Sequence, residues 1–486
     1  MKAKISLRVI ALIMSILMLF TLCACGNSGN ENTSVPTLNY GDEVADDIVD
    51  DEDAITIETE KENQGVSGNK GGDNTAQSYD DNLERNHTID ENKKKILLES
   101  VPESLSGQEV SILTWWNPFE YEKKKMEKFT EETGIKIKWV YADTDNYTQR
   151  LASLRAQGNA PDIAAIRVQD YPSSIMQDYF RPLSESKLDL SKKEVFDVDS
   201  MNLVKWEGKH YGAIIKGTTY MIMGLLLYNA DLFDKYGVTS PHKLWQDGKW
   251  NWDTFVSTAQ DIQKKSKVVA LTSEYQGYRL AQTGGEDAVA IKNGKLVNNT
   301  SSKNYRDTYK WMTNLLPEGQ YKIMDFGFNI DGFKSGKVAM FVTENWALQA
   351  GERFNNLSFT LGYAPLPCKT NKTVVPSDFQ LWGFPTGSKH LEAASYALEY
   401  WQDPAYNETG YDIWLNDSVA SFNDWLWEQP KTFKISEGVI EYGGDYDWYS
   451  YNYEATESME KVDSAMDKWS SVIDSNIKKI YAEFGS

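Results

Sequence analysis

The chain has 486 residues, of which 41% are hydrophobic, and this is more apolar material than one compact domain usually needs. Its 71 acidic and 50 basic side chains give a formal net charge of −21, and so acidic a protein repels the phosphate backbone of nucleic acids. Length and charge therefore predict two domains of ordinary size and exclude nucleic acid as a partner.

Residues 1–25 have the features of an export signal. Lys2, Lys4 and Arg8 form a positive start, and the apolar run that follows, residues 9–22, is shorter than the roughly 20 residues that a membrane-spanning helix needs. We therefore expect a signal peptide, with an uncleaved membrane anchor as the alternative.

The apolar run ends in Leu22-Cys23-Ala24-Cys25-Gly26, which resembles a bacterial lipobox. Leucine stands three residues before Cys25 and a small residue stands directly before it, whereas Cys23 has a poorer lead-in. The resemblance implies that Cys25 carries acyl chains such as palmitate. These chains would hold the mature protein at the extracytoplasmic face of the cell membrane.

Residues 26–106 predict a disordered acidic tether. The segment is rich in Asp, Glu, Asn, Ser, Gly and Thr, and it cannot bury enough apolar surface to offset its chain entropy. Runs such as Asp50-Asp51-Glu52-Asp53 repel themselves and extend the chain. A short helix is possible over residues 90–101.

Alternating strand and helix patterns begin at Glu109. A strand that ends in Trp115 is followed by a helix with Gly134 as its C-cap, and further strands and helices alternate after it. This β-α-β-α-β order predicts a mostly parallel sheet in an α/β fold. The predicted strands are 110–115, 135–142 and 162–168, and the predicted helices are 119–134 and 147–158.

The carboxyl ends of these strands carry rings and planar polar groups. Ligands of parallel sheets bind beyond the carboxyl ends of the strands, where all three ends lie on one edge. Sugars are recognised by such a mixture, since their C–H faces stack on aromatic rings and their hydroxyls bond to carboxylates and amides. The alternative is that these polar side chains only form turns, in which Asp and Asn are common. The candidates are Trp115, Trp116, Asn117, Asp143 and Asp170.

Several short motifs follow one another in a recognisable order. Together they resemble the bacterial extracellular solute-binding proteins of the maltose-binding type, over about residues 109–401. The motifs are YTQRLASLRAQGNAPDIAAI from residue 147, YFRPLSE from 179, WEGKHYG from 206, LLLYNADLFDKYGVTSP from 225, NWD from 251, FKSGKVAMFVTENW from 333 and LWGFPTGSKHLEAASYALEYW from 381.

The resemblance implies a two-lobed, periplasmic-binding-protein-like (type II) α/β fold with hinge strands and an interlobe cleft. Lobe 1 would comprise residues 107–216 with a returning segment at about 382–430, and lobe 2 would comprise 217–381. The hinge sequence 214–219 departs from the family pattern. The aromatic tail, with YGGDYDWYSYNYE from residue 442, cannot be aligned, which leaves the lobe of residues 431–486 open.

The resemblance also implies roles for individual residues. Asp170 falls where the family often places an acceptor for a sugar hydroxyl, and Trp346 falls where it often places a stacking ring. Tyr278, Arg279 and Gln282 would line lobe 2, and Trp382 would lie at the second crossing between the lobes. Core packing is the alternative for Trp346, and a structural role is the alternative for Tyr278 and Arg279.

The expected function is capture of an extracellular solute, with an oligosaccharide favoured by the 16 Trp and 27 Tyr. The protein would act as a monomer and deliver its ligand to the permease subunits of an ABC importer. It would need no catalytic residue, cofactor or metal. A sugar-sensing or polysaccharide-binding lipoprotein and, less favoured, a glycoside hydrolase are the alternatives. Cys368 is expected to be a small buried hydrophobe.

Overall fold

The computed structural model describes the folded part of the chain. The predictions for the signal peptide, Cys25 and the tether up to residue 90 lie outside the described residues, as do Trp116, Asn117 and the hinge residues 217–219. The described ranges are 91–115, 120–193, 195–216, 221–325, 329–349, 353–354, 356–402 and 414–484.

The first part of the chain forms parallel strands connected by helices. Strand β1 pairs in parallel with β2 and with β3, which confirms the predicted β-α-β-α-β order. We call the part of the protein built on these strands lobe 1. Its elements are α1 (Glu91–Ser100), β1 (Glu109–Thr114), α2 (Glu120–Thr133), β2 (Lys136–Tyr141), α3 (Tyr147–Ala156), β3 (Ile163–Arg167), α4 (Ser173–Met176) and α5 (Val198–Leu203). The disordered tether was expected to extend to residue 106. We propose that lobe 1 begins at α1 instead, because Leu97 and Leu105 are buried.

The turn after α2 shows why glycine is needed at one position. Gly134 has a φ of +74°, a left-handed conformation that most side chains avoid. A Cβ atom there would lie 2.1 Å from the hydroxyl oxygen of Ser106. The glycine therefore ends α2 as predicted and allows the chain to enter β2 at once.

The middle of the chain forms a second group of strands, which we call lobe 2. Strand β4 pairs antiparallel with β8 and β9, and β5 pairs in parallel with β8. The elements are β4 (Met221–Asn229), α6 (Ala230–Lys235), α7 (Pro241–Gln246), α8 (Trp252–Ser266), β5 (Val269–Ser273), α9 (Tyr278–Gln282), β6 (Val289–Lys292), β7 (Lys295–Asn298), α10 (Lys303–Leu315), α11 (Ile330–Lys334), β8 (Val338–Glu344) and β9 (Leu361–Pro365).

Helix α8 begins within the NWD motif at residue 251, with Asn251 as its N-cap. The side chain of Asn251 accepts a hydrogen bond from the backbone N–H of Thr254, and the Thr254 hydroxyl accepts one from the N–H of Asn251. This capping box satisfies backbone donors that the first helical turn leaves open. Phe255, Ala259 and Ile262 then recur at helical spacing and are all buried, so one face of α8 covers the sheet of lobe 2.

Strand β10 (Val375–Gly383) joins the two lobes. Its residues Ser377–Phe379 pair antiparallel with β4, and its residues Gln380–Gly383 pair antiparallel with β3. Strand β11 (Lys431–Phe433) lies alongside its first residues. Among the described strands, the resulting order is β2-β1-β3-β10-β4-β8-β5.

The chain after β10 contacts both lobes. Helix α12 (Leu391–Gln402) packs against α2 and β1 of lobe 1, whereas α13 (Asp417–Trp427) packs against lobe 2, with Phe422 4.8 Å from Tyr363 between ring centroids. The returning segment was expected to extend to about residue 430. We propose that its lobe 1 part ends with α12 and that α13 belongs with lobe 2.

The remaining helices are α14 (Ser436–Ile440), α15 (Trp448–Thr456) and α16 (Val462–Phe484). Tyr481 of α16 stacks at 6.1 Å on Trp206 of lobe 1, and its hydroxyl accepts a hydrogen bond from the backbone N–H of Leu296 in lobe 2. This C-terminal segment therefore bridges both lobes, which explains why it could not be assigned to either from sequence.

Cys368 is buried, as expected, and its sulfur accepts a hydrogen bond from the backbone N–H of Val374. No helix in the described part of the chain combines the length and apolar character needed to cross a bilayer.

Candidate ligand-binding cleft

A cleft of about 400 Å³ lies where β10 crosses between the lobes. This volume falls within the usual range for sites that hold small molecules. Residues from lobe 1, lobe 2, the crossing strand and the C-terminal segment all contribute to its walls. They are Trp115, Thr144, Arg167, Val168, Gln169, Tyr278, Glu344, Asp378, Phe379, Gln380, Lys434, Glu437, Trp448 and Tyr449.

The lobe 1 wall is built around Trp115, the residue that follows β1. Its ring meets the edge of Tyr147, with 5.1 Å between the centroids, and the guanidinium of Arg167 lies over both rings. The Tyr147 hydroxyl accepts a hydrogen bond of 2.8 Å from the backbone N–H of Ala165. Because Tyr147 is buried and bonded to the sheet, it fixes the position of the tryptophan ring that faces the cleft.

Asp170 holds Arg167 against this wall. Its Oδ2 accepts a hydrogen bond of 2.7 Å from Nε of Arg167, and its Oδ1 accepts one of 2.6 Å from the hydroxyl of Thr148. Arg167 also donates to the backbone oxygen of Thr144 at 2.7 Å. Arg167 therefore lines the cleft, while Asp170, the expected ligand acceptor, lies behind it.

A chain of alternating charges forms the opposite side. Arg279 donates to both carboxylate oxygens of Asp378, at 3.0 and 2.9 Å, and its Nε donates to Glu344 at 3.1 Å. Lys434 lies 3.4 Å from Asp378 and also pairs with Glu437. The network connects lobe 2, the crossing strand and the C-terminal segment, and each buried charge has a partner of opposite sign.

This network controls the protonation of Asp378 and Lys434. Burial by itself would raise the pKa of Asp378, but Arg279 and Lys434 hold that pKa below its ordinary value. Burial would lower the pKa of Lys434, but Asp378 and Glu437 raise it above its ordinary value. Both groups are therefore charged at neutral pH, and they give the cleft fixed hydrogen-bonding groups.

Aromatic rings from lobe 2 and the C-terminal segment meet beside this network. The rings of Tyr278 and Trp448 are perpendicular, with 4.3 Å between centroids, and the ammonium of Lys434 lies 4.9 and 4.7 Å from them. Tyr449 follows Trp448 and also lines the cleft. The cleft thus has an aromatic ring on its lobe 1 side, and rings beside charged groups on the opposite side.

The predicted site residues fall into several groups. Trp115 and Tyr278 line the cleft, and Arg279 lies directly behind it. Trp346 does not line the cleft; its indole N–H donates to Glu344 at 2.8 Å, and its ring lies under the guanidinium of Arg353.

The other predicted residues lie away from the cleft surface. Asp143 is exposed and accepts a hydrogen bond from the backbone N–H of Asp145, as in a turn, while its neighbour Thr144 lines the cleft. Trp382 is 0% exposed, because its strand lies between Ala165 and Ala213. Gln282 is also buried, close to Arg279.

Sequence reasoning missed most of the charged lining. Glu344, which lines the cleft, stands two residues before the predicted Trp346 in the same motif. Lys434, Glu437, Trp448 and Tyr449 lie in or beside the tail that could not be aligned. The density of Trp and Tyr after residue 442 was the signal that could have found the last two.

Two kinds of comparison place this architecture among known proteins. A family model described as "Bacterial extracellular solute-binding protein" matches residues 124–431. The match covers more than half of the chain, and members of this family work outside the cytoplasm.

Solved structures share the two-lobed α/β fold. The cyclic alpha-maltosyl-1,6-maltose binding protein from Arthrobacter globiformis has a TM-score of 0.60 and 13% identity, and the match covers 76% of this chain and 99% of that chain. The sugar-binding protein MalE from Xanthomonas citri also has a TM-score of 0.60, with 16% identity over 78% of this chain and 99% of that chain. The galacto-N-biose-/lacto-N-biose I-binding protein from Bifidobacterium longum has a TM-score of 0.56, at 14% identity over 76% and 97%. The chain therefore belongs to the bacterial extracellular solute-binding proteins, and its two-lobed fold is the one expected from the sequence.

Proposed function

We propose that this protein captures an oligosaccharide in the interlobe cleft and delivers it to the permease subunits of an ABC importer. The observation that carries the proposal is the joint presence of aromatic rings and fixed polar groups in that one cleft. Trp115 lies on one side, and Tyr278, Trp448 and Tyr449 lie on the other. The C–H faces of a sugar can stack on such rings while its hydroxyls meet the polar groups.

The polar groups of the cleft suit hydroxyl ligands. Glu344 and Glu437 carry carboxylates that accept hydrogen bonds, and Arg167 and Lys434 carry donors. The Oε1 atom of Gln380 is buried and accepts no hydrogen bond from any residue that the structure describes. A ligand hydroxyl would supply the missing donor, because a buried polar atom without a partner costs about 1–3 kcal/mol.

Structural relatives support a sugar as the ligand. The Arthrobacter protein is described as binding a cyclic maltosyl-maltose, and the Bifidobacterium protein is described as the lacto-N-biose-binding protein of an ABC transporter. Because proteins of one fold bind many kinds of ligand, the sugar assignment rests first on the chemistry of the cleft.

The position of the cleft suggests how ligand capture could drive closure of the two lobes. Strand β10 pairs with β4 through Ser377–Phe379 and with β3 through Gln380–Gly383, so rotation between the lobes would occur at this crossing. A ligand that contacts both lobes binds the closed form better than the open form, and it shifts the population by that difference in affinity. The permease would then recognise the closed form.

We also propose that the protein binds its ligand without chemical change. A glycoside hydrolase needs a carboxylic acid that stays protonated until it donates to the leaving group. Three carboxylates of the described residues line the cleft, and each pairs with a cation: Glu344 and Asp378 with Arg279, and Glu437 with Lys434. Arg279 and Lys434 lower the pKa of Asp378, which is the opposite of what a proton donor needs. Lipid anchoring through Cys25, supported by the lipobox resemblance, would keep the binding protein at the membrane beside its permease.

The first experiment is a thermal-shift screen of the purified protein with maltose, maltotetraose, cellobiose, lacto-N-biose, spermidine and amino acids. A ligand that binds the native state at a hundredfold its dissociation constant stabilises it by about 2.7 kcal/mol. We expect a raised melting temperature with one class of sugar, and chromatography should recover that sugar intact. A shift with spermidine or an amino acid alone would reject the sugar, and sugar cleavage would reject capture without chemistry.

A further inference from the structure

Helix α15 carries two exposed tyrosines on one face, next to the cleft. Tyr449 lines the cleft and is 52% exposed, and Tyr453 is 45% exposed. Side chains four residues apart lie above one another on a helix, about 5–6 Å apart at Cβ. The two rings therefore form a stripe that starts at the cleft wall and continues one helical turn beyond it.

The opposite face of α15 is firmly packed, so the stripe stands on a rigid support. Tyr451 and Asn452 are buried, and the hydroxyl of Tyr309 donates a hydrogen bond of 2.8 Å to the side chain of Asn452. Asp447 caps the helix by accepting a hydrogen bond of 2.7 Å from the backbone N–H of Ser450. The backbone that carries the two rings is therefore held in place before a ligand arrives, which lowers the ordering cost of binding.

The stripe is narrow and amphipathic. Ser450 is exposed and Glu454 is partly exposed, so polar side chains flank the two rings instead of extending them into a broad apolar patch. A broad patch would suit a protein partner. A single row of tyrosines suits a chain of sugars, because each ring offers a flat apolar face and each hydroxyl offers a polar edge. Continuity with the cleft through Tyr449 identifies the occupant as the ligand itself.

We propose that Tyr449 and Tyr453 form an outer stacking platform that holds the end of an oligosaccharide projecting from the cleft. The protein would therefore prefer longer oligosaccharides to disaccharides, since a disaccharide fills the cleft but does not reach Tyr453. This inference rests on the proposed sugar-binding function. The platform lies in the C-terminal segment, beyond the residues 124–431 that the family model matches.

The test is calorimetric titration of the purified protein with two series of sugars: maltose, maltotetraose and maltohexaose, and cellobiose, cellotetraose and cellohexaose. We expect affinity to rise with length in at least one series. Tyr453→Ala should weaken binding of the hexasaccharide about three- to tenfold and leave the disaccharide unchanged, which is the size expected for one lost stacking contact. Tyr453→Leu also removes the ring and should weaken binding of the hexasaccharide as Tyr453→Ala does. Tyr453→Phe keeps the ring and should keep most of the affinity.

Tyr446→Ala is the matched control. Tyr446 is 40% exposed and belongs to the same segment, but its ring packs 5.5 Å from Trp469 and does not line the cleft. This variant should bind every sugar like the wild type. The platform is rejected if wild-type affinity does not depend on length, or if the Tyr453 variants change all lengths by the same factor or not at all. If the wild type binds no sugar of either series and none in the thermal-shift screen, the proposed sugar function fails together with the platform.

Discussion

Arg279 and Asp378 face each other through two parallel hydrogen bonds of 3.0 and 2.9 Å, although 99 residues separate them in sequence. The arginine side chain is 1% exposed, and it also pairs with Glu344. One guanidinium from helix α9 thereby ties the crossing strand β10 to strand β8 of lobe 2. A fork of this geometry matches a carboxylate better than a lysine ammonium does.

Arg279→Ala should lower the free energy of unfolding by about 3–5 kcal/mol, because it leaves two buried carboxylates without their main partner. Urea denaturation of the variant and the wild type measures this loss. Lys303→Ala is the control, since Lys303 is 88% exposed and its ion pair with Asp307 should contribute less than about 1 kcal/mol. Equal stability of both variants would show that the buried network contributes no more than a surface pair.

Trp115→Ala should weaken ligand binding about tenfold or more while the protein stays folded. Trp115 is partly buried, its ring lines the cleft, and its stacking surface would be lost from one face of the ligand. Titration with the sugar found in the thermal-shift screen measures the change. Trp346→Ala provides the comparison, because Trp346 lies outside the lining and should weaken binding less. The opposite order would place the stacking ring at residue 346.

Asp170 and Arg167 should act as one unit in ligand binding. Asp170 holds Arg167 through the 2.7 Å hydrogen bond and does not itself line the cleft. Asp170→Ala and Arg167→Ala should each weaken binding, and the double variant should be no weaker than Arg167→Ala, because both changes remove the same contact. Additive losses in the double-mutant cycle would mean that Asp170 contacts the ligand independently.

Asp287 should make stability depend on pH. Burial raises its pKa to about 6, although Ser436 donates hydrogen bonds of 2.7 and 2.9 Å to its carboxylate. The folded state therefore holds a proton that the unfolded state has already lost between about pH 4 and 6. This contribution stabilises the protein below about pH 4 and is lost as the pH rises through about 6, on the order of 3 kcal/mol in total.

Asp287→Asn cannot titrate and should remove this contribution. Urea denaturation from pH 4 to pH 7 gives the free energy of unfolding of both proteins. As the pH rises, the free energy of unfolding of the wild type should fall relative to that of the variant. Subtracting the two curves cancels the other carboxylates. A difference that stays constant over this range would contradict a raised pKa at Asp287.

Cys25→Ala should release the exported protein from the membrane, because acyl chains on Cys25 are the proposed anchor. Fractionation of cells and mass spectrometry of the membrane-bound form measure the anchor and its attachment site. Cys23→Ala is the control, and it should leave the protein in the membrane fraction. Release by both variants or by neither would reject the lipobox assignment to Cys25.

Sequence by itself determined the local elements of lobe 1 and their order. Capping and periodicity act over a few residues, so Gly134 at the end of α2 and the parallel pairing of β1 with β2 and β3 followed from short patterns. The family was indicated separately, by the resemblance of the motifs over residues 109–401, and the family match over residues 124–431 confirms it. Trp115 was found as a lining residue because it ends a strand of a predictable sheet.

The tertiary structure decided which rings and charges line the cleft. Trp115 directly follows strand β1, whereas Trp382 lies within strand β10 and is enclosed by neighbouring backbone, and local sequence does not encode that burial. Lys434 and Trp448 reach the cleft because the C-terminal segment folds back between the lobes, far from its neighbours in sequence. Such contacts depend on the packing of the whole chain, since the groups that pair in the cleft come from separate elements that meet only after both lobes and the crossing strand have assembled.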